Sequence, residues 1–449
     1  MQGLTEGIAQ FAAHPEALRI EDAVRNTVRN GFTDTVGVML ASRDAPVTNV
    51  VRRFVSERRS TRADARLLFD VERASSRDAA LVNATAGHAI DYDDVGLQGH
   101  PSVVLVPALL AEGERLRAPG EALLRAYVVG YETWAELLLR DEDLLHLKGW
   151  HPTSVFGVVA VAAAIAALRG LDVTSTRHAI ALAASMAGGL VANFGSMAKP
   201  FHAGRAAAQG IDAADLASAG MTAARDTLEH PAGLLAALSP RGKVDRGPAS
   251  AELGRTLRMA SLGLTIKKYP MCFATHRVID ATLDLALAHG LNAGDVRSID
   301  ATVGTAQASM LRNHRPTDAL EARFSLEFAV AGSLVAGRLG LSELTDEFVR
   351  RDDVQELFGR LHVTTTDTVC PYEQSLAASD RVVIHTTGGG SFDSGEISGT
   401  RGDAATALAS HELEAKFMDC TTGMAYLDRG GLYRSLQMLD RCEDVSLLG

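Results

Sequence analysis

The chain has 449 residues, beyond the size at which one hydrophobic core stops growing, so two domains are expected. Apolar residues make up 47% of it, which excludes wholesale disorder. The net charge of −11 argues against a general nucleic-acid-binding protein, because such proteins need a basic face. Aromatic residues are only 5% and alanine is abundant, so helices that approach one another closely are expected.

The four cysteines lie far apart in the sequence and form no CxxC pair. This spacing predicts neither a disulfide framework nor a structural zinc site, and it favours a reducing compartment. Cysteines brought together by the fold could still hold an iron–sulfur cluster, although the usual spacing is absent. The amino-terminal residues show no signal-peptide pattern, and the longest apolar run, around residues 155–168, is predicted to be a buried helix. We therefore expect a cytoplasmic protein.

Residues 1–260 alternate between stretches with helical periodicity and short breaks of Gly, Pro and Asp. Helices are predicted at 22–42, 76–90, 102–115, 120–139, 154–169, 174–189, 203–220 and 250–259. Hydroxyl side chains ahead of three of them are predicted N-caps: Ser102, Thr153-Ser154 and Thr174-Ser175-Thr176. No convincing strand alternation occurs in this part of the chain.

The pattern changes after about residue 262. Segments 298–303, 361–366 and 380–386 alternate with period two and predict strands, and helices are predicted between them at 274–290, 318–338 and 342–349. A helical pattern returns from about residue 404. We predict a helical domain over 1–262, a smaller α+β domain over 263–402, and a return to the helical domain over 403–449. The predicted fold class is mainly α.

Three aspartates, Asp91, Asp93 and Asp94, follow an apolar helical run that includes His88. Acids at the C-terminal end of a helix oppose its dipole, so another group is expected to stabilise them. The alternative is a solvated loop in which one aspartate caps the next helix.

A His-Pro pair precedes a predicted helix twice, at His100-Pro101 and at His151-Pro152. Each histidine would lie beside the free N–H groups of a helix start, which bind anions. If the two helix starts converge, they form a pocket with two near-neutral bases facing a carboxylate. Each histidine alone is equally compatible with a structural role.

Two lysine motifs also stand beside proline: Lys199-Pro200, and Lys267-Lys268-Tyr269-Pro270. The pKa of a free lysine is about 10.4, and lowering it to about 7 would cost about 4–5 kcal/mol. Histidine titrates at about 6.5 and exchanges protons readily. The lysines are therefore expected to bind carboxylates and stabilise an enolate, with a plain surface lysine as the alternative. His276, in the following helix, is expected to be packed.

No glycine-rich nucleotide loop and no HExxH or paired-carboxylate metal motif occurs in the sequence. We predict no metal and no organic cofactor. Together the histidine and lysine motifs predict one acid/base site for an anionic substrate.

The same stretches resemble the MmgE/PrpD family, which contains 2-methylcitrate dehydratase, cis-aconitate decarboxylase and iminodisuccinate epimerase. The motifs that carry the resemblance, nearly along the whole chain, are HAIDYDD, GHPS, GWHPTS, NFGSMAKPFHAGRAA, KKYPMCFATH and KFMDC. The resemblance implies a large helical domain formed by both ends of the chain, with a smaller α+β lid domain from the middle. It also implies a homodimer without metal or organic cofactor, and an active site between the domains.

Carried over by motif, the family's site residues fall on Asp91, His100, His151, Lys199 and Lys267, which are the predicted catalytic residues. Predicted substrate-binding residues are Lys268, the competing register for the last lysine, together with Ser102, Tyr269, Cys272 and His202. The sequence departs from the family pattern at Val95, where many members carry a threonine. It departs again at Cys272, where the decarboxylases carry a histidine, and their site tyrosine has no clear match near residues 312–316.

The chemistry that the family shares is removal of a proton next to a carboxylate, which gives an enolate-like intermediate. The leading prediction is a lyase of the 2-methylcitrate dehydratase type acting on a small hydroxylated polycarboxylate. The alternatives are an epimerase of a substituted aspartate, which the GWHPTS and NFGSMAKP stretches favour, a decarboxylase of the cis-aconitate type, and a non-catalytic carboxylate-binding protein. No nucleic acid or membrane partner is expected.

Overall fold

A computed structural model describes residues 3–58, 62–370 and 375–448. Its helices, in chain order, are α1 Leu4–Ala12, α2 Asp22–Ala41, α3 Pro46–Arg58, α4 Ser76–Gly87, α5 Pro101–Leu116, α6 Gly120–Leu138, α7 Pro152–Val155, α8 Gly157–Arg169, α9 Val173–Met186, α10 Ala198–Ser218, α11 Leu234–Leu238, α12 Met259–Leu262, α13 His276–His289, α14 Thr305–Met310, α15 Ala319–Ala322, α16 Leu326–Ala336, α17 Asp346–Val349, α18 Asp352–Phe358, α19 Ser410–Cys420 and α20 Arg429–Gln437. Its strands are β1 Ala65–Arg66, β2 Arg73–Ala74, β3 Val296–Gly304, β4 Leu361–Thr366, β5 Arg381–Thr386 and β6 Ser391–Asp393.

The chain folds into two compact units, one made of Met1–Thr265 with His411–Gly449 and the other of Ile266–Ser410. The first unit is helical apart from the short β1–β2 pair, and the second mixes helices with a four-stranded sheet. The predicted fold class, mainly α with a smaller α+β part, is confirmed.

Helices α8 and α10 form the centre of the first unit. Every residue of α8 from Gly157 to Ala167 is buried. Helix α10 packs on both α4 and α8, and glycines make this close approach possible. A Cβ at Gly204 would lie 2.4 Å from the Leu81 carbonyl oxygen of α4, and one at Gly210 would lie 2.4 Å from Val161 of α8.

One segment, Pro152–Arg169, is long and apolar enough to cross a membrane by length and composition. Its 18 residues span α7 and α8, and 89% of them are buried inside the protein. The core of a helical unit accounts for such a segment. This agrees with the prediction of a buried helix around residues 155–168.

Several predicted helix boundaries need correction. His100 and His151 are the N-cap residues of α5 and α7, and Asp172 caps α9 by accepting from the Ser175 amide, so the hydroxyl caps predicted at 102, 153–154 and 174–176 are wrong. The helix predicted at 250–259 is also wrong. That segment forms turns, because Gly254 takes a φ of +78° and interrupts the helical path.

The sheet of the second unit has the order β4-β3-β5-β6. Strand β3 pairs in parallel with β4, with Ile299 opposite Leu361, and antiparallel with β5, with Ile299 opposite Ile384. Strand β6 pairs antiparallel with β5. Alternate residues of β3 and β5, including Ala301 and Val382, are buried in a core shared with α13, α16 and α18. The strands predicted from period-two alternation are confirmed.

Candidate active site

Three histidines of the first unit stand at helix ends. His88 follows α4 as its C-cap residue, while His100 and His151 precede α5 and α7, each followed by proline at the first helical position. Proline suits this position because the helix leaves its missing N–H without a partner in any case. Among the described residues, neither N-cap imidazole bonds to the helix that it precedes. Both rings are therefore available for other contacts.

Five imidazoles lie against one another at these helix ends, and we call them the imidazole cluster. His88 meets His100 edge-on, with ring centroids 4.6 Å apart, and stacks on His151 at 5.8 Å. His151 in turn approaches His202, with 3.2 Å between their Nδ1 atoms, and His146, with centroids 6.4 Å apart. The two histidines predicted to be catalytic are thus joined through His88.

An ammonium–carboxylate pair adjoins the cluster. Nζ of Lys199 donates to Oδ1 of Asp91 at 2.8 Å, and the same ammonium lies 5.2 Å from the ring centroid of Phe194. The Phe194 ring also packs edge-on against His151, with centroids 4.9 Å apart. A single aromatic ring therefore contacts both the cation and one of the predicted acid/base residues.

Lys199 belongs to the first turn of α10. The turn begins where the Ser196 hydroxyl accepts from the Ala198 amide. A cation at a helix N-terminus opposes the helix dipole, and the carboxylate of Asp91 offsets that penalty. Asp91 itself has a φ of +55°, in the left-handed region that aspartate tolerates better than most residues.

A buried lysine from the C-terminal segment holds the backbone next to Asp91. Nζ of Lys416, on α19, donates to the Tyr92 carbonyl oxygen at 2.9 Å and lies 3.8 Å from the centroid of the Tyr92 ring. The same ammonium forms an ion pair with Oδ1 of Asp34 at 2.5 Å. Lys416 and Asp34 are both buried, so this contact fixes the position of the Asp91–Asp93 segment from inside the unit.

We expect Lys416→Met to lower the free energy of unfolding by about 3–5 kcal/mol, because it removes the buried ammonium that pairs with the Asp34 carboxylate. Urea unfolding of the variant checks this. The double variant Lys416→Met/Asp34→Asn removes the charge as well and should recover at least half of the loss. Equal stability of Lys416→Met and the parent chain would contradict the anchoring role.

Asp93 and Asp94 are completely buried, so the solvated-loop alternative is wrong for both. The Ser102 hydroxyl contacts the Asp94 carboxyl and lies 2.6 Å from the Tyr127 hydroxyl. Ser102, which was predicted to bind substrate, thus belongs to a chain of buried polar groups. Burial raises the pKa of Asp94 well above its ordinary value, against the hydrogen bond from Ser102. Oδ2 of Asp93 lies 2.8 Å from Nδ1 of His88.

Burial keeps most of the imidazole cluster neutral. It lowers the pKa of His88, His146 and His202 to about 4 each, and that of His151 well below 6.5. Burial is the main cause of the lowered pKa at His151. These four side chains are therefore uncharged bases at pH 7.

The neutral imidazoles predict a loss of stability in mild acid. His88, His146 and His202 bind protons near pH 6.5 in the unfolded chain but only near pH 4 in the folded one, and the pKa of His151 is lowered in the same direction. The folded state is therefore most stable above pH 6.5 and loses stability as the pH falls. His88 alone should cost about 2 kcal/mol between pH 7.5 and pH 5. Urea midpoints across that range test this. In His88→Asn the midpoint should depend less steeply on pH than in the parent chain. A midpoint independent of pH would contradict a neutral cluster.

His88, Asp93 and His100 present three potential metal-ligand atoms within 4.8 Å of one another. The hydrogen bonding argues against coordination through these nitrogens. Nδ1 of His100 lies 2.7 Å from the Asp94 carbonyl oxygen, which only accepts, so this nitrogen carries a proton and has no lone pair for a metal. The trio is better described as a hydrogen-bonded group.

The remaining predicted residues belong to the second unit. Lys267 is buried and Lys268 is half-buried, at the start of that unit. Tyr269 donates from its hydroxyl to Oδ1 of Asp280 at 2.6 Å, and Cys272 is buried in the hydrophobic core. His276 is buried at the start of α13, as expected. The first unit thus brings together Asp91, Ser102, His100, His151, Lys199 and His202.

Comparison with known protein families identifies the family of this chain. Residues 6–246 match the MmgE/PrpD N-terminal domain, and residues 269–429 match the MmgE/PrpD C-terminal domain. The chain belongs to the MmgE/PrpD family. The resemblance carried by its motifs is confirmed.

Three curated relatives of this chain are 27–30% identical to it over the aligned residues. A cis-aconitate decarboxylase of Homo sapiens is 30% identical over 82% of this chain and 78% of its own length. One of Mus musculus is 30% identical over 63% of this chain and 59% of its own length. One of Aspergillus terreus is 27% identical over 62% of this chain and 61% of its own length. These proteins carry the name of an alternative considered above, not of the leading dehydratase prediction.

Sequence reasoning about this MmgE/PrpD member missed four residues that contact the predicted site. They are His88, His146, Phe194 and Lys416. His88 and Phe194 lie inside motifs that were singled out, so proximity along the chain was an available signal. Lys416 lies inside KFMDC, but its contact with Tyr92 spans 324 residues and has no local signature.

Proposed function

We propose that this chain is a lyase that acts on a small di- or tricarboxylate, without metal or organic cofactor, by moving a proton at carbon next to a carboxylate. One observation carries the proposal. The Phe194 ring contacts both the Lys199 ammonium, which is paired with Asp91, and the ring of His151 in the imidazole cluster. A cation suited to a substrate carboxylate therefore lies near a neutral proton acceptor. The family of the chain supports the same substrate class.

The roles follow from charge. Lys199, already paired with a carboxylate, suits a second anionic oxygen and the negative charge of an enolate. His100 and His151 suit proton transfer because a neutral imidazole both accepts and donates. Asp91 holds the Lys199 ammonium in place.

Decarboxylation of a cis-aconitate-type substrate is the reaction that we favour, on the names of the relatives. In that reaction the bond between carbon and the departing carboxylate breaks, CO2 leaves, and the electron pair remains on carbon, conjugated with the neighbouring unsaturation. A protonated side chain then delivers one proton to that carbon. Dehydration, in which a base removes the proton and hydroxide departs as water, stays the second candidate, because Cys272 stands where the family's decarboxylases carry a histidine.

The test is a panel of cis-aconitate, 2-methylcitrate and citrate, with CO2 release and the absorbance of the unsaturated acid followed separately. CO2 from cis-aconitate would support decarboxylation, and new absorbance from 2-methylcitrate without CO2 would support dehydration. Solvent deuterium entering a substituted aspartate without elimination would point to epimerisation instead. No turnover and no exchange with any of these acids would contradict the proposal.

The predicted location, oligomeric state and absence of macromolecular partners belong to the same proposal. We propose a cytoplasmic homodimer with no nucleic-acid or membrane partner. The molar mass by light scattering on a sizing column tests the dimer, with 47.5 kDa expected for a single chain.

A further inference from the structure

Asp93 is the carboxylate that directly contacts the imidazole cluster. Its Oδ2 atom lies 2.8 Å from Nδ1 of His88 and 3.1 Å from Nδ1 of His100. Its side chain has no solvent exposure, so it is not placed to touch a substrate. One oxygen of the buried Asp93 carboxylate therefore contacts the Nδ1 atoms of two imidazoles.

Hydrogen bonding fixes which nitrogen of His100 carries the proton. Its Nδ1 atom lies 2.7 Å from the Asp94 carbonyl oxygen as well as near Asp93, and a backbone carbonyl can only accept. Nδ1 must therefore be the N–H of His100. In the neutral ring, the lone pair then lies on Nε2.

The hydrogen bond between His88 and Asp93 likewise decides which nitrogen of His88 carries the proton. Although burial opposes the ionisation of Asp93, the neighbouring imidazoles His88 and His100 hold the pKa of that carboxyl well below its ordinary value. An ionised carboxylate only accepts, so Nδ1 of His88 is the donor of their hydrogen bond. Nε2 of His88 and Oδ1 of Asp93 are both buried and without a hydrogen-bond partner among the described residues.

Exposure separates the two imidazoles that share Asp93. The side chain of His88 has no solvent exposure, whereas that of His100 retains 12%. Only His100 can therefore present its Nε2 atom to a bound molecule. His88 packs against it edge-on and limits the rotation of its ring.

We propose that Asp93 is a positioning residue that holds His88 and His100 in the Nδ1–H tautomer and so presents Nε2 of His100 as the proton-transfer atom. The tautomer claim for His100 stands on geometry, that for His88 also requires an ionised Asp93 carboxylate, and the proton-transfer claim rests on the proposed function. When His100 takes a proton at Nε2, both its nitrogens carry hydrogen, and the Asp93 carboxylate stabilises the resulting imidazolium. The titratable groups that act on Asp93 are His88, His100 and Asp94, and Lys199 acts electrostatically on His88.

The first measurement is the nitrogen NMR spectrum of the full chain labelled with 15N-histidine. His100→Asn and His88→Asn identify the two resonance pairs by their disappearance. We expect both residues of the parent chain to show a protonated Nδ1 and a lone pair on Nε2. A protonated Nε2 on neutral His100 would overturn the proposal, whatever the chain turns out to catalyse.

The second measurement is the pH dependence of turnover in Asp93→Asn, on whichever acid of the panel is turned over. We expect kcat to fall at least a hundredfold with KM within about threefold. The limb of the profile that reports the ionisation of His100 should move to lower pH by about one unit, the basic limb if His100 donates the proton and the acidic limb if it accepts it. Asp380→Asn is the matched control, because Asp380 is also a buried aspartate but lies in the second unit, bonded to Gln307. Asp93→Asn with the kcat and pH profile of that control would contradict the positioning role.

The NMR spectrum and the kinetic measurement distinguish failure of the tautomer assignment from failure of the proposed function. If no acid of the panel is turned over, the proposed function fails while the spectrum still decides the tautomer. If Asp93→Asn does not fold by circular dichroism, the spectrum of the parent chain again decides it.

Discussion

Lys199→Met is expected to lower kcat/KM on the active acid of the panel by about 10²–10³. The ammonium is the cation placed beside the imidazole cluster, and removal of one donor that stabilises a developing oxyanion costs a factor of this size. Methionine keeps the length and the contact with Phe194 but carries no charge. Steady-state kinetics at saturating and subsaturating substrate would show the loss in both kcat and kcat/KM.

The same substitution also removes an ion-pair partner of the Asp91 carboxylate, so its effect on folding must be separated from its effect on turnover. Loss of that partner should cost about 1–3 kcal/mol of stability. The double variant Lys199→Met/Asp91→Asn removes both charges, and we expect it to regain most of the stability while staying inactive. Recovery of turnover in the double variant, or activity of Lys199→Met within tenfold of the parent, would contradict the role of Lys199.

His100→Asn is expected to reduce kcat by about 10²–10⁴, the range for loss of a positioned general acid or base. The asparagine amide can take the place of Nδ1 and keep the donors to Asp93 and to the Asp94 carbonyl oxygen. It has no atom at the position of Nε2. The variant therefore removes the proton-transfer atom while it keeps the contacts that position the side chain.

The control for this variant is His178→Asn. His178 is half-buried on α9, where Nδ1 accepts from the Ala223 amide, and it lies outside the imidazole cluster. We expect its kcat to remain within about twofold of the parent. Equal kcat for His100→Asn and His178→Asn would show that Nε2 of His100 takes no part in the reaction.

Local patterns account for the elements that the sequence predicted well. The alanine-rich segment 157–167 is apolar throughout and rich in the residue of highest helix propensity, and alternation in β3 and β5 follows directly from one buried sheet face. Helix α3 was not predicted, because its valines favour strands and its helical form depends on burying Val47, Val51 and Val55 against the rest of the unit. The turns at 250–259 reflect the φ of one glycine, which composition does not reveal.

The candidate site was partly visible for the same reason. Histidine–proline and lysine–proline pairs mark helix starts locally, so His100, His151 and Lys199 could be selected without coordinates. What the sequence could not give was the pairing between distant segments. The structure pairs Asp91 with Lys199, and it pairs Asp93 with His88 and His100.

The contact between Lys416 and the Tyr92 carbonyl oxygen has a consequence for biosynthesis. The two residues are 324 positions apart, and the whole second unit is made between them. At about 5–20 residues per second, a ribosome needs roughly 15–65 s to travel from one to the other. Throughout that interval the nascent chain holds its aspartate segment without the buried ammonium that later fixes it, so the first unit can complete this segment only after the second unit has been synthesised.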